Sequence, residues 1–209
     1  ANRLTQCGAN PQHTEVTGNL KFDLDIPVNL EKAGARLRSQ WNEQRPVLVA
    51  GSTHAADEAV IIPAFAELLR TWPDTLLILA PRHPEQFAKT IQRVEAAGLK
   101  TELRSQGEVC SADAQCFVID SIGELMKYYA CGDIAFVGGS MGDQGGHNAL
   151  EPASLGKPVL LGPNMENARE IASQLLSCGA AKLVNDQQDF QKQLGEILTD
   201  SELRDRMGQ

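Results

Sequence analysis

Three of the four histidines, His54, His83 and His147, each follow a short apolar run, and only His13 does not. An imidazole so placed can hold a ligand, move a proton or merely satisfy a turn, and a lone one most often does the last. What raises these three is that they share one kind of loop. A zinc centre would need three or four ligands in tetrahedral reach, and the chain offers neither CxxC nor HxxxH spacing to support one, so no metal is expected.

The strongest local signal is VGGSMGDQGGHNALE, from Val137 to Glu151, where Gly138, Gly139, Gly145 and Gly146 bracket a polar loop that leads from an apolar run into a helical pattern. Glycine lets a backbone approach an anion closely, and the N–H groups and dipole of a following helix favour phosphate. The stretch fits neither GxxxxGK[ST] nor GxGxxG, so neither an ATP-hydrolysing P-loop nor a dinucleotide fingerprint is supported. Asn148 and Glu151 stand at capping-box spacing, in which Glu151 only satisfies the helix start. The same spacing suits a carboxylate one turn beyond a bound phosphate, placed to accept two ribose hydroxyls.

Pro81-Arg82-His83-Pro84 puts two donors at the end of another apolar run, where arginine can hold phosphate or carboxylate, or simply stand in solvent. The segment Asp120-Ser121-Ile122-Gly123-Glu124-Leu125-Met126 reads as a strand end entering a helix, which a Ser or Asp cap explains by itself. Acidic groups elsewhere, such as Asp57 with Glu58 and the tail at 200–206, read as a solvated face.

These loops must be carried by something. After an irregular opening, residues 47–50, 76–80, 116–119, 134–137 and 159–161 are short apolar runs, with weaker ones at 101–104 and 182–184. Helical patterns occupy 30–41, 57–70, 84–97, 166–176 and 189–198. Pro63 is expected to disturb the second of these, Pro84 to open the third and Gly98 to stop it. Strands separated by helical segments cannot form hairpins, so right-handed crossovers into a parallel sheet are expected, giving a doubly wound α/β domain. In such a sheet the carboxyl ends of the strands share one edge, and ligands bind in the crevice outside them. The polar loops should therefore converge.

At 209 residues the chain suits one large domain better than two small ones. Nineteen basic against 27 acidic residues give a net charge of -8, which argues against nucleic acid as a partner. With 42% hydrophobic and 22% charged residues, the composition is that of an ordinary globular protein. The apolar runs fall far short of the ~20 residues that cross a bilayer. The opening residues carry no signal-peptide pattern and no methionine, so the chain is expected to be a fragment. The odd, scattered set Cys7, Cys110, Cys116, Cys131 and Cys178 suits reduced, mostly buried thiols.

Taken together, the motifs resemble the 3-deoxy-D-manno-octulosonic acid (Kdo) transferases of lipopolysaccharide assembly. The matching stretches are Thr17-Gly-Asn-Leu-Lys-Phe-Asp23, Gly51-Ser-Thr-His54, Pro81-Arg-His-Pro84, Gly123-Glu-Leu-Met126 and Gly145-Gly-His-Asn-Ala-Leu-Glu-Pro152, in family order over nearly the whole chain. Each is unspecific, while the ordered set is highly specific. The resemblance implies the Rossmann-like carboxyl-terminal half of a two-domain GT-B glycosyltransferase, with residues 1–209 forming the nucleotide-sugar domain and the amino-terminal acceptor domain absent from the chain.

It further implies CMP-Kdo as donor, a lipid A precursor at the inner face of the cytoplasmic membrane as acceptor, inversion at the anomeric carbon, and no cofactor. Arg82 would then hold the nucleotide phosphate, residues 122–126 (Ile122, Gly123, Glu124, Leu125, Met126) would border the cytosine, and Asn148 with Glu151 would grip phosphate and ribose. Ser52 and His54 would face the same cleft, and Pro81, His83, Gly145, Gly146, His147, Ala149 and Leu150 complete the implied binding set. A single phosphate can be neutralised by amides and a guanidinium without a divalent ion.

The family's catalytic glutamate and its acceptor surface belong to the other half, so this chain is expected to bind without turning over, to be soluble by itself, and to meet the membrane only through that half. Three positions depart from the family pattern: Ala149 where proline is common, Ala55 where an acid is common, and Ala168 where an aromatic is common. The alternatives are a UDP-sugar transferase or epimerase half, and a non-catalytic nucleotide-binding module.

Overall fold

The apolar runs, bounded by Gly, Pro, Asp and Ser, form seven strands: β1 (Val47–Thr53), β2 (Leu76–Pro81), β3 (Thr101–Leu103), β4 (Cys116–Val118), β5 (Ile134–Val137), β6 (Val159–Leu161) and β7 (Ala181–Leu183). This computed structural model describes residues 2–15, 26–42 and 44–209, so the Thr17 to Asp23 stretch lies outside the described residues. The strands pair in the order β3-β4-β2-β1-β5-β6-β7, all parallel. Connecting and flanking them are α1 (Asn2–Gln6), α2 (Leu30–Arg38), α3 (Ala55–Leu68), α4 (Phe87–Ala96), α5 (Leu125–Cys131), α6 (Leu150–Ala153), α7 (Arg169–Cys178), α8 (Gln187–Thr199) and α9 (Ser201–Met207).

Side chains alternate across each strand, so a strand buried on both faces feeds two cores. Leu48 and Ala50 of β1 join Leu77 and Leu79 of β2 in a cluster with Ile61 and Phe65 of α3 and Phe190 and Leu194 of α8. Val47 and Val49 turn the other way, with Leu76 and Ile78, against Leu37 of α2 and Tyr128 of α5. A third cluster packs Val159 and Leu161 under Ile171, Ala172 and Leu175 of α7. From β1 the chain passes to β2, then to β3 at the edge and back to β4 between them, before it crosses to lay β5, β6 and β7 on the opposite side of β1. The strand order thus reverses between β1 and β5, where such sheets open a crevice.

Several expectations change in detail. β1 runs on through Thr53, and α3 starts at Ala55. Pro63 does not break α3: it and Ala59, whose carbonyl loses its N–H partner, are both exposed, so water can take the missing bond. Residues 84–86 form a 3-10 turn ahead of α4. Within the tail, α9 is capped by Asp200 and buries Met207 in the first core, so it is not merely a solvated face.

The clearest correction concerns Asp57 and Glu58, which are 0% and 1% exposed. Glu58 accepts from Thr53 Oγ1 (3.1 Å), Thr90 Oγ1 (2.7 Å) and Arg93 Nη1 (2.6 Å), tying β1, α3 and α4 together. Cys110, Cys116 and Cys131 are buried free thiols, and burial pushes Cys110 up to about 11 and Cys131 up to about 12, while Cys7 and Cys178 are exposed. Among the described residues no helix is long and apolar enough to cross a membrane.

Candidate functional site

The ends of β1 and β5 lie side by side, with Gly51 opposite Val137. Gly138 N–H donates to Gly51 O at 2.8 Å, and a Cβ at Gly138 would strike the Ser52 backbone, so only glycine permits this approach. Ser52 has φ 53°, a left-handed conformation uncommon for a residue with a Cβ, beside the register shift between Gly51 and Thr53. The loop after β5 then folds back on itself: Gly146 N–H donates to Gly139 O (2.7 Å) and His147 N–H to Gly138 O (3.1 Å).

Two flanking elements fix this loop. From beyond β6, Asn164 Nδ2 donates to Gly142 O (2.8 Å) and Asn167 Nδ2 to Gln144 O (2.6 Å). From α3, the Asp57 carboxylate accepts the N–H groups of Gly139 (2.7 Å), Ser140 (3.2 Å) and Met141 (3.0 Å). It also accepts the His54 N–H (2.8 Å), closing the cap of α3.

The loops enclose a cleft of about 590 Å³. β1 contributes Ser52, the end of β2 contributes Arg82, and the entry to α5 contributes Ile122, Gly123, Leu125 and Met126. The glycine-rich loop adds Gly146, His147 and Asn148, and α6 adds Glu151, while Tyr129, Val137 and Asn167 complete the wall. Arg82 and Asn148, 66 residues apart in the chain, therefore face one space.

Burial raises the Glu151 carboxyl above its ordinary value, with the Asn148 hydrogen bond and Arg82 opposing this in part. Burial also raises the Tyr129 phenol, which stays neutral. His54 Nε2 and His147 Nε2 are 2.8 Å apart in nearly coplanar rings (7°), so one nitrogen donates and the other accepts. His147 is pushed down to about 4 by burial and then by His54 and Arg82, and His54 is lowered chiefly by burial, so both rings are neutral at pH 7. Among the described residues, Arg82 is the cation of the wall. Among the described residues no three His, Cys, Asp or Glu side chains are grouped to hold a metal ion.

The remaining expected residues stand off the cleft surface. His54 lies behind His147, and His83 packs edge-on against His54 with ring centroids 5.5 Å apart. Pro81 is buried at the end of β2, and Gly145 is packed against Asn167. Glu124 turns away to Arg104 (2.9 Å), Ser121 and Lys127 (3.4 Å); burial pushes its carboxyl up, but these hydrogen bonds outweigh that and hold it low. Ala149 is 0% exposed in the third core, against which Leu150 packs.

No capping box joins Asn148 and Glu151: Ala149 is the cap residue, and the bond between the two runs from Asn148 Nδ2 to Glu151 Oε1 (3.3 Å). At four residues, α6 supplies amide groups rather than a large dipole. Tyr129, Val137 and Asn167 in the cleft wall, and Asp57 behind the loop, lie outside the expected set. Tyr129 falls four after Leu125, one turn along the same helix, and Asp57 three after His54, the spacing of a cap.

This sheet order, with a ligand-sized cleft at its reversal point, is that of a doubly wound, Rossmann-like α/β domain. Residues 59–209 match the family described as Glycosyl transferases group 1. The solved C-terminal CMP-Kdo binding domain of WaaA from Acinetobacter baumannii is 33% identical with a TM-score of 0.83, covering 87% of this chain and 95% of that one. The 3-deoxy-D-manno-octulosonic acid transferase of Haemophilus influenzae is 35% identical over 99% of this chain and 48% of its own length, and that of Bordetella pertussis 36% identical over 86% and 42%. The chain spans about half the length of these transferases. It belongs to the group 1 glycosyl transferases and, among them, to the Kdo transferase family.

Proposed function

We propose that this chain is the donor-binding half of an enzyme that moves Kdo from CMP-Kdo to a lipid A precursor at the cytoplasmic face of the inner membrane, with the acceptor site on the other half. The observation that carries this reading is the meeting of Arg82 with Asn148 and Glu151 in one cleft of about 590 Å³. That volume lies within the ~300–1,000 Å³ range of small-ligand sites. Among the described residues its wall holds one permanent cation, which suits one phosphate, whereas a diphosphate calls for a second contact.

Arg82 would hold the phosphate, and Ile122, Leu125 and Met126 supply an apolar rim for the base. Glu151 carries a carboxyl raised by burial, which ribose hydroxyls would satisfy as donors. Ser52 and His147 face the space left for the sugar. In the transfer, the acceptor oxygen bonds the anomeric carbon as the bond to the phosphate oxygen breaks. CMP leaves with the electron pair, and the acceptor's proton passes to a base outside this chain.

Calorimetric titration with CMP and with UDP, on the wild-type chain and on Arg82→Ala, tests the reading. CMP should bind one to one, and loss of the guanidinium should cost about 1.5–3 kcal/mol, the range for a hydrogen bond to a charged group. Tighter binding of UDP would favour a UDP-sugar enzyme, and no heat from either would refute a nucleotide site.

A further inference from the structure

We propose that Asp57 is a resident anion of the glycine-rich loop: a positioning residue whose carboxylate fills, from within the protein, the kind of amide nest that phosphates fill elsewhere, and so holds His147 and Asn148 at the cleft. The inference deepens the nucleotide reading and rests on it. Successive backbone N–H groups that converge make an anion-binding concavity. Here Gly139, Ser140 and Met141 supply three in a row at 2.7, 3.2 and 3.0 Å, all aimed at a side chain 0% exposed. A carboxylate so buried is costly unless its oxygens are bonded, and the fourth bond, from His54 N–H at 2.8 Å, completes the set.

Capping α3 requires only that last bond. The other three reach a loop 82 to 84 residues further along the chain, and no helix start needs them. Glu58 is the internal contrast. It is about as buried as its neighbour, yet among the described residues it bonds Thr53, Thr90 and Arg93 and makes no hydrogen bond to the loop.

Two consequences follow. The amides of Gly139, Ser140 and Met141 are committed to Asp57, that of Gly138 to Gly51 O, and those of Gly146 and His147 to the loop's own carbonyls, so a nucleotide phosphate must be received at the far end, by Arg82 and residues 148–151. Through His54, whose backbone Asp57 holds and whose ring bonds His147, the same carboxylate also ties together the loops on both sides of the β1/β5 gap.

The test uses Asp57→Asn, Asp57→Ala and, as the matched control, Glu58→Gln. Amide hydrogen exchange without nucleotide comes first: at 139–141, Asp57→Asn should lose about 100-fold in protection as charge-assisted bonds are replaced, while Glu58→Gln should not. CMP affinity comes second: Asp57→Ala should lose about tenfold or more, and added formate, small enough to enter the vacated nest, should restore part of it where chloride at equal ionic strength does not. A folded Asp57→Asn with wild-type protection at 139–141, or an Asp57→Ala that binds CMP as the wild type does, would overturn the proposal. So would loss of the fold in both Asp57 variants while Glu58→Gln folds, since Asp57 would then govern folding rather than position. If the wild-type chain bound no CMP, the nucleotide reading would fail and the exchange measurement alone would decide the role of Asp57.

Discussion

On the proposed reading, Glu151 serves binding at the expense of stability. Its carboxyl is raised by burial, so the fold favours the protonated form and carries a cost when the group is ionised at pH 7. Glu151→Gln removes that charge and keeps the shape. It should raise the melting temperature, or leave it unchanged, while weakening CMP binding by about 1–3 kcal/mol. Unchanged affinity in calorimetry would return Glu151 to a purely structural role.

His147 gives the opposite pH signature. Its folded value of about 4 lies below the ordinary 6.5, so the unfolded chain takes up a proton that the fold refuses. Stability should be full above pH 6.5 and fall as the pH drops toward 4. Denaturant melts at pH 7, 6 and 5 would show this, and His147→Gln should flatten the part of the acid limb that belongs to this ring.

At the scale of elements, buried charge organises what the strands leave open. Glu58 is 1% exposed while its partner Arg93 is 34% exposed, so Glu58→Ala leaves the guanidinium to water but two buried hydroxyls, of Thr53 and Thr90, without their acceptor. Each buried group left unpaired costs about 1–3 kcal/mol, and a denaturant midpoint close to wild type would contradict the arrangement.

This is also where the sequence is least legible. The inner strands could be read because β2, β4, β5, β6 and the start of β1 are unbroken apolar runs between turn formers, and the site loops because they must follow those strands; the outer strands β3 (Thr-Glu-Leu) and β7 (Ala-Lys-Leu) gave a weaker signal. Arg82, Asn148 and the Gly123 to Met126 segment came into view that way. The acid pair at 57–58 reads as a solvated first helical turn, because most of its partners lie 32 to 84 residues away. Ala149 and Leu150 belong to a family motif, yet they serve the third core. Motif membership alone does not separate the residues that face the cleft from those that hold it up.

For the whole molecule, the chain spans 48% of the Haemophilus transferase, and on the proposed reading its open cleft is half of an interdomain site. Closure against a second domain excludes water and completes a catalytic set, so this chain should bind CMP more weakly than the full-length protein. Transfer of Kdo should be undetectable with this chain alone and should appear when the other half is supplied. Activity from the lone chain would mean that the proton acceptor lies within these residues.

The central claim is that Arg82 and Glu151, brought together at the β1/β5 gap, clasp one nucleoside monophosphate. A crystal structure of the chain soaked with CMP tests this most directly. The account predicts the phosphate within about 3 Å of the Arg82 guanidinium and the ribose hydroxyls on Glu151. CMP seated instead at the opposite edge of the sheet, or a cleft left vacant at saturating CMP, would contradict it.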